Sequence, residues 1–181
     1  MNMKIKKLTL LSLIALTMFY LGRQSIPEIN NSIQSTPAIN HNIEHQYIEE
    51  SIDYHAEAIY IKKTFKSNMS TSKIKHLLIY IHAMCKHYDL NYNLVKSVIS
   101  TESGWKYNAK SSAGAIGLMQ TMKACAKDYK TPHSEMYDPY VNVTIGIKYL
   151  AKLTKKFENT ATALVGYNEG PRYAQNYKVD Y

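Results

Sequence analysis

Arginine is scarce in this chain: two occur in 181 residues against twenty lysines, and only Arg172 lies beyond residue 63. Paired recognition of base edges and phosphates depends on the planar guanidinium fork, so a nucleic-acid partner is not expected. Cysteine is limited to Cys85 and Cys125. Neither follows the hydrophobic run at the N-terminus, which leaves no place for a bacterial lipid anchor. Two readings stay open for them, a pair joined in an oxidising compartment or two small apolar residues on helix faces. Strand signals are few and no internal repeat is visible, so the periodicity predicts a domain built mainly of α-helices.

The net charge of +8 is unevenly spread. Residues 1–23 carry +4, residues 24–63 carry −4 and residues 64–181 carry +8. A basic domain suits an anionic polymer or surface without choosing among them. Residues 1–23 begin with Lys4, Lys6 and Lys7 and continue as an apolar run from Leu8 to Gly22, the pattern of an export signal. At ~1.5 Å per residue that run makes about 22 Å of helix, short of a ~30 Å hydrocarbon core but usable with snorkelling ends. Because Tyr20-Leu21-Gly22 is a poor cleavage site, a membrane anchor and a removed signal peptide are both expected readings, and the chain is expected to leave the cytoplasm.

Residues 24–67 read as a linker, rich in Asn, Ser and Pro up to residue 42. Within it Ile48, Ile52, His55 or Ala56, and Ile59 share one face of an amphipathic helix over about 43–65, suited to a spacer or a partner surface. A compact domain is expected over residues 68–181. Ser70–Ser72 supplies N-cap candidates, and Ile74, Leu77, Leu78, Ile81 and Cys85 follow at helical spacing. Further helices are expected over 94–103, near 121–129, and from Asp138-Pro139, where Val143, Ile147, Leu150 and Phe157 form the buried stripe. Asn159-Thr160 caps a last helix that Gly170-Pro171 should end.

"HNIEH", His41 to His45, fits a zinc pattern, but it lies in the least regular part of the chain with no evident third ligand, so no metal is expected. His55, His76, His82, His87 and His133 lack a nucleophile in a recognisable frame and read as surface or packing residues. Glu102 stands apart. In "SVISTESGW" the stripe of Leu94, Val95, Val98 and Ile99 reaches Glu102 as its next position. A carboxylate ending an apolar face beside Trp105 loses solvation, which would raise its pKa and suit it to act as a general acid, as glycosidic cleavage requires.

Three segments in order, "ESGW" from Glu102, "SSAGAIGLMQ" from Ser111 to Gln120 and "ALVGYNEGP" from Ala163 to Pro171, resemble the motifs of the lytic transglycosylase domain with a lysozyme-like fold. The resemblance spans about residues 73–173. It implies a mainly α domain with at most a minimal β element, no cofactor, and peptidoglycan glycan strands as partner. It also implies that Glu102 is the catalytic acid and Ser103 the small polar residue after it. Gly117 would permit a turn, Met119 and Gln120 would line the saccharide cleft, Tyr167 and Asn168 would approach Glu102 and the sugar, and Gly170 would end the last helix. In the implied mechanism Glu102 protonates the oxygen between N-acetylmuramic acid and N-acetylglucosamine. It then takes the proton of the C6 hydroxyl, closing a 1,6-anhydro ring without water.

The chain departs from the resembling pattern at Glu169, a carboxylate where a small residue is common, and at Lys123, which stands close to where proline is common. A second carboxylate in the cleft would allow hydrolysis by a muramidase instead. A wall-binding component of a secretion, pilus or phage machine is the non-enzymatic alternative. An envelope location, membrane contact through the N-terminal segment, and envelope-spanning or virion proteins as partners complete the expectations.

Overall fold

The computed structural model describes residues 52–176. The expected signal or anchor, most of the linker and the His41–His45 pattern lie outside the described residues. Seven α-helices and one 3₁₀ turn occur among the described residues, with no strand beyond isolated bridges at Lys110–Ile116 and Ile116–Thr121. The helices are α1 (Tyr54–Phe65), α2 (Thr71–Tyr88), α3 (Tyr92–Ser103), α4 (Lys123–Asp128), α5 (Pro139–Phe157), α6 (Thr160–Glu169) and α7 (Pro171–Gln175), with the 3₁₀ turn at His133–Tyr137 between α4 and α5. The mainly α expectation with a minimal β element therefore holds.

Side-chain caps set most of the helix starts. The Ser70 hydroxyl accepts from Lys73 N, Asn91 Oδ1 from Leu94 N, Asp138 Oδ1 from Tyr140 N and Val141 N, and Asn159 Oδ1 from Thr162 N. Each satisfies amides that the first turn leaves without a carbonyl. Pro139 then occupies the first turn of α5, where its missing N–H costs nothing.

The core is arranged around the two longest helices, α2 and α5, which pack on each other. From α2 come Ile74, Leu77, Leu78, Ile81 and Cys85, from α3 Val95, Val98 and Ile99, and from α5 Val143, Ile147 and Leu150. All five α2 positions are those at which the spacing predicts burial. Each fully buried aliphatic side chain contributes about 1.5–3 kcal/mol, so α2 alone supplies a large share of the driving force. A smaller cluster of Ile116, Ala126, Met136 and Ile145 fills the space under α4 and the 3₁₀ turn.

Three expectations are corrected. Residues 54–65 do not form a spacer: α1 buries Ala58 and Ile61 in the main core. The buried face also differs, since His55 and Ala56 are exposed while Tyr54, Ala58, Ile61 and Phe65 face inward. The aromatic residues carry that face, which a reading based on isoleucine spacing overlooks. Finally, Pro171 does not stop the chain's helical course but starts α7, with Gly170 at φ +93° making the break.

Both cysteines are free, Cys85 buried and Cys125 half-buried. Burial pushes each thiol up to about 11, so neither holds a thiolate near neutral pH.

Candidate active site

Val95, Ile99 and Glu102 stand at successive turns of one face of α3, the first two buried and Glu102 half-buried. The end of that helix is held from several sides. Gly104 adopts the left-handed conformation at φ +56° and its N–H returns to the Ser100 carbonyl. Trp105 follows at φ +60° and is buried. A left-handed tryptophan is strained, and it persists because the surroundings fix it. Its indole N–H donates to Ser100 Oγ at 2.9 Å, and its carbonyl accepts from the buried Ser67 hydroxyl at 2.7 Å. The Ser103 hydroxyl donates to the Ile99 carbonyl at 3.1 Å, one turn back.

Helix α1 grips α3 at its start as well. From α1, Glu57 accepts the Tyr92 hydroxyl at 2.7 Å and pairs with Lys96 at 2.6 Å, while the Lys96 ammonium lies 4.2 Å from the Tyr92 ring centre. Both ends of the helix carrying Glu102 are thus tied to residues 57–67.

Residues 115–121 of the loop between α3 and α4 run through the interior, so their backbone groups need partners other than water. Asn142 of α5, fully buried, supplies them: its Oδ1 accepts from Met119 N at 2.7 Å, and its Nδ2 donates to Ile116 O at 2.9 Å and Met136 O at 3.0 Å. Gly117 is required there twice over. It sits at φ +81°, and a Cβ on it would lie 2.3 Å from Asn142 Nδ2 and 2.4 Å from Met136 O.

From the other side comes α6. The Tyr167 hydroxyl donates to the Met119 carbonyl at 2.8 Å, and its ring packs at 5.5 Å from that of Tyr149. Burial, and next the negative charge of Glu102, hold the Tyr167 phenol well above its ordinary range. Cys125, Tyr149 and Tyr129 act on it in the same direction. The fold therefore brings Glu102 of α3, the Met119 backbone and Tyr167 of α6 to one place, with the phenol locked in its neutral, donating form.

The remaining expected site residues fall around this centre. Gln120, half-buried at φ +47°, donates its amide to Gly117 O at 3.0 Å and Ala109 O at 3.3 Å and so braces the loop. Asn168 is half-buried and donates to Glu169 at 2.8 Å. Glu169 is exposed, at the last position of α6. The Met119 side chain is fully buried, with the thioether so close to Gly146 that an added Cβ would lie 2.5 Å from the sulfur. Its main chain accepts from Tyr167 and donates to Asn142. Asn142 and Gly146, two positions that sequence reasoning missed, carry this arrangement. Their signal is a polar and a small residue four apart on the buried side of α5.

No group of three His, Cys, Asp or Glu residues placed to hold a metal occurs among the described residues, and no described helix is long and apolar enough to cross a membrane.

A helical domain that presents one half-buried carboxylate from the end of a buried face, opposite a neutral tyrosine, has the makings of a single-acid catalytic site. The family described as Transglycosylase SLT domain matches residues 79–180, and the chain belongs to it. Similar proteins include Membrane-bound lytic murein transglycosylase E of Buchnera aphidicola subsp. Acyrthosiphon pisum, 32% identical over 108 residues that cover 54% of this chain and 49% of the relative. The Transglycosylase of Enterobacteria phage PRD1 is 35% identical over 94 residues, covering 52% of this chain and 35% of its own. The Soluble lytic murein transglycosylase of Salmonella typhimurium is 32% identical over 93 residues, covering 46% and 14%. The chain thus spans about half the length, or less, of these curated relatives.

Proposed function

We propose that this protein is a peptidoglycan lytic transglycosylase that cleaves the β-1,4 bond between N-acetylmuramic acid and N-acetylglucosamine. The observation that carries the reading is the convergence of Glu102 with Tyr167 and the Met119 backbone, within a chain of the SLT family. Glu102 donates its proton to the glycosidic oxygen as the bond breaks. The resulting carboxylate takes the proton of the muramic C6 hydroxyl, whose oxygen attacks C1 and closes the 1,6-anhydro ring. One carboxylate suffices for both transfers.

Hydrolysis would require a second carboxylate about 5–9.5 Å away to act as nucleophile or to position water. Glu169, the candidate, is exposed at the end of α6 and takes the Asn168 amide, an arrangement that gives hydrolysis no support. Ser103, Gln120 and Asn168 orient sugar hydroxyl and acetamido groups in this reading. Work on the cell wall implies an envelope location. The apolar run after Lys7 supports export with or without anchoring, and the likeness to a phage protein supports service to a virion or envelope machine.

Digestion of purified sacculi followed by mass spectrometry tests the reaction. Anhydro-muropeptides are expected. Products ending in reducing N-acetylmuramic acid, one water heavier, would replace ring closure by hydrolysis, and binding without cleavage across a range of pH would favour the wall-binding role.

A further inference from the structure

Away from Glu102, a pocket of about 330 Å³ is lined by Lys123, Lys127, Lys130, Thr131, Pro132 and His133. Three of its six lining residues are lysines and none is an Asp or Glu. None of the three lysines makes an ion pair or side-chain hydrogen bond among the described residues. Lys123 and Lys127 are four apart on one face of α4, a like-charge spacing that costs an isolated helix a few tenths of a kcal/mol. An anion seated between the charges would offset that cost.

The other polar groups of the lining are already engaged. The Thr131 hydroxyl donates to the Tyr129 carbonyl at 3.1 Å, and His133 Nε2 donates to the Thr121 carbonyl at 3.1 Å. The lysines are therefore the donors, while Pro132 and the lysine methylenes form apolar walls. The His133 bond ties the pocket to the same loop that carries Gln120 and Met119. The neighbouring positions Cys125 and Tyr129 act electrostatically on Tyr167, so α4 and the turn after it separate the pocket from the site.

We infer that this pocket binds a terminal carboxylate of the peptide stem borne by the glycan strand under cleavage, an assignment that rests on the proposed activity. Apolar walls and a volume that admits a short residue pair suit an alanine-type terminus, whose methyl group packs beside its carboxylate, better than a phosphodiester, which is charged on the chain itself.

The test uses the full chain and two substrates, glycan strands with their peptides and the same strands stripped of peptides by an amidase. The unaltered protein should cleave peptide-bearing strands with a kcat/KM roughly three- to tenfold higher, the range expected for a few exposed charge pairs. The triple variant Lys123→Gln, Lys127→Gln, Lys130→Gln should lose that preference through KM and cleave stripped strands within about twofold of the original rate. An unchanged preference in the variant, or an equal loss on both substrates, overturns the inference, as does the absence of any preference in the unaltered protein. Soluble poly(glycerol phosphate) that competes better than alanyl-alanine would reassign the pocket to phosphate. If neither strand is cleaved, the proposed reaction fails, and sedimentation of the protein with the two kinds of strand still reads the pocket by the ratio of bound fractions.

Discussion

Asn142 Oδ1 accepts the Met119 backbone N–H at 2.7 Å, inside a fully buried setting where the same side chain also serves two carbonyls. One amide on α5 thereby fixes the loop whose Met119 carbonyl receives Tyr167. Removing it takes that partner from the buried Met119 N–H and Met136 carbonyl, while the Ile116 carbonyl keeps the Thr121 N–H, and each unsatisfied group costs about 1–3 kcal/mol. Asn142→Ala should lower stability by roughly 3–5 kcal/mol, read as the midpoint of urea unfolding, and Gly117→Ala should be comparably severe because of the clash and the positive φ. A loss below 1 kcal/mol for Asn142→Ala would mean that the loop is held by other contacts.

Glu102→Gln keeps the shape of the side chain and removes the transferable proton. Turnover of sacculi should fall at least about a hundredfold while the thermal midpoint stays the same or rises. Glu169→Gln should retain activity within about twofold, and a collapse there would place a second carboxylate in the reaction.

Tyr167→Phe deletes the bond to the Met119 carbonyl and preserves the ring packed against Tyr149. The carbonyl left behind is partly buried, so a loss of about 1–2 kcal/mol in stability is expected. A roughly tenfold fall in kcat accompanies it if the phenol helps orient the site. Equal activity would restrict Tyr167 to packing.

Stability should decline in alkali. Burial raises Cys85 and Cys125 from 9.0 to about 11 and Tyr129 from 10.0 to about 12, and Tyr92, Tyr149 and Tyr167 shift in the same direction, burial leading in each. A group whose folded value is raised lends stability that is complete below its unfolded value and disappears as pH climbs toward the folded one. The urea midpoint should be level up to about pH 8.5 and fall between 9 and 12. Reductant should not change it at neutral pH, and titration of the denatured chain should find two thiols.

Breaking the link between α1 and α3 should be felt at the site. Glu57→Ala removes the partner of both Tyr92 and Lys96 and should destabilise by about 1–2 kcal/mol. Because Ser67 binds the strained Trp105 end of the same helix, Ser67→Ala should lower kcat on sacculi more than it raises KM, and Ser67→Thr should restore part of it.

Local chemistry along the chain determined much of this protein. Ser70, Asp138 and Asn159 cap the helices because their side chains reach amides only two or three residues away, and the α2 stripe follows from the helical repeat alone. Glu102 is legible for the same reason, as a charged break in a periodic apolar face. Tertiary structure decided what that carboxylate meets. Tyr167 lies 65 positions further along the chain; its phenol feels the Glu102 charge and donates to the main chain of Met119, whose side chain is buried. The role of Asn142 has no local signature because its partners are 6 to 26 residues away, and the inclusion of α1 in the core depended on aromatic contacts with distant helices. Caps and stripes are short-range and repeat with the backbone. Satisfying a buried loop depends on which residues the packed chain happens to bring within about 3 Å of its polar groups.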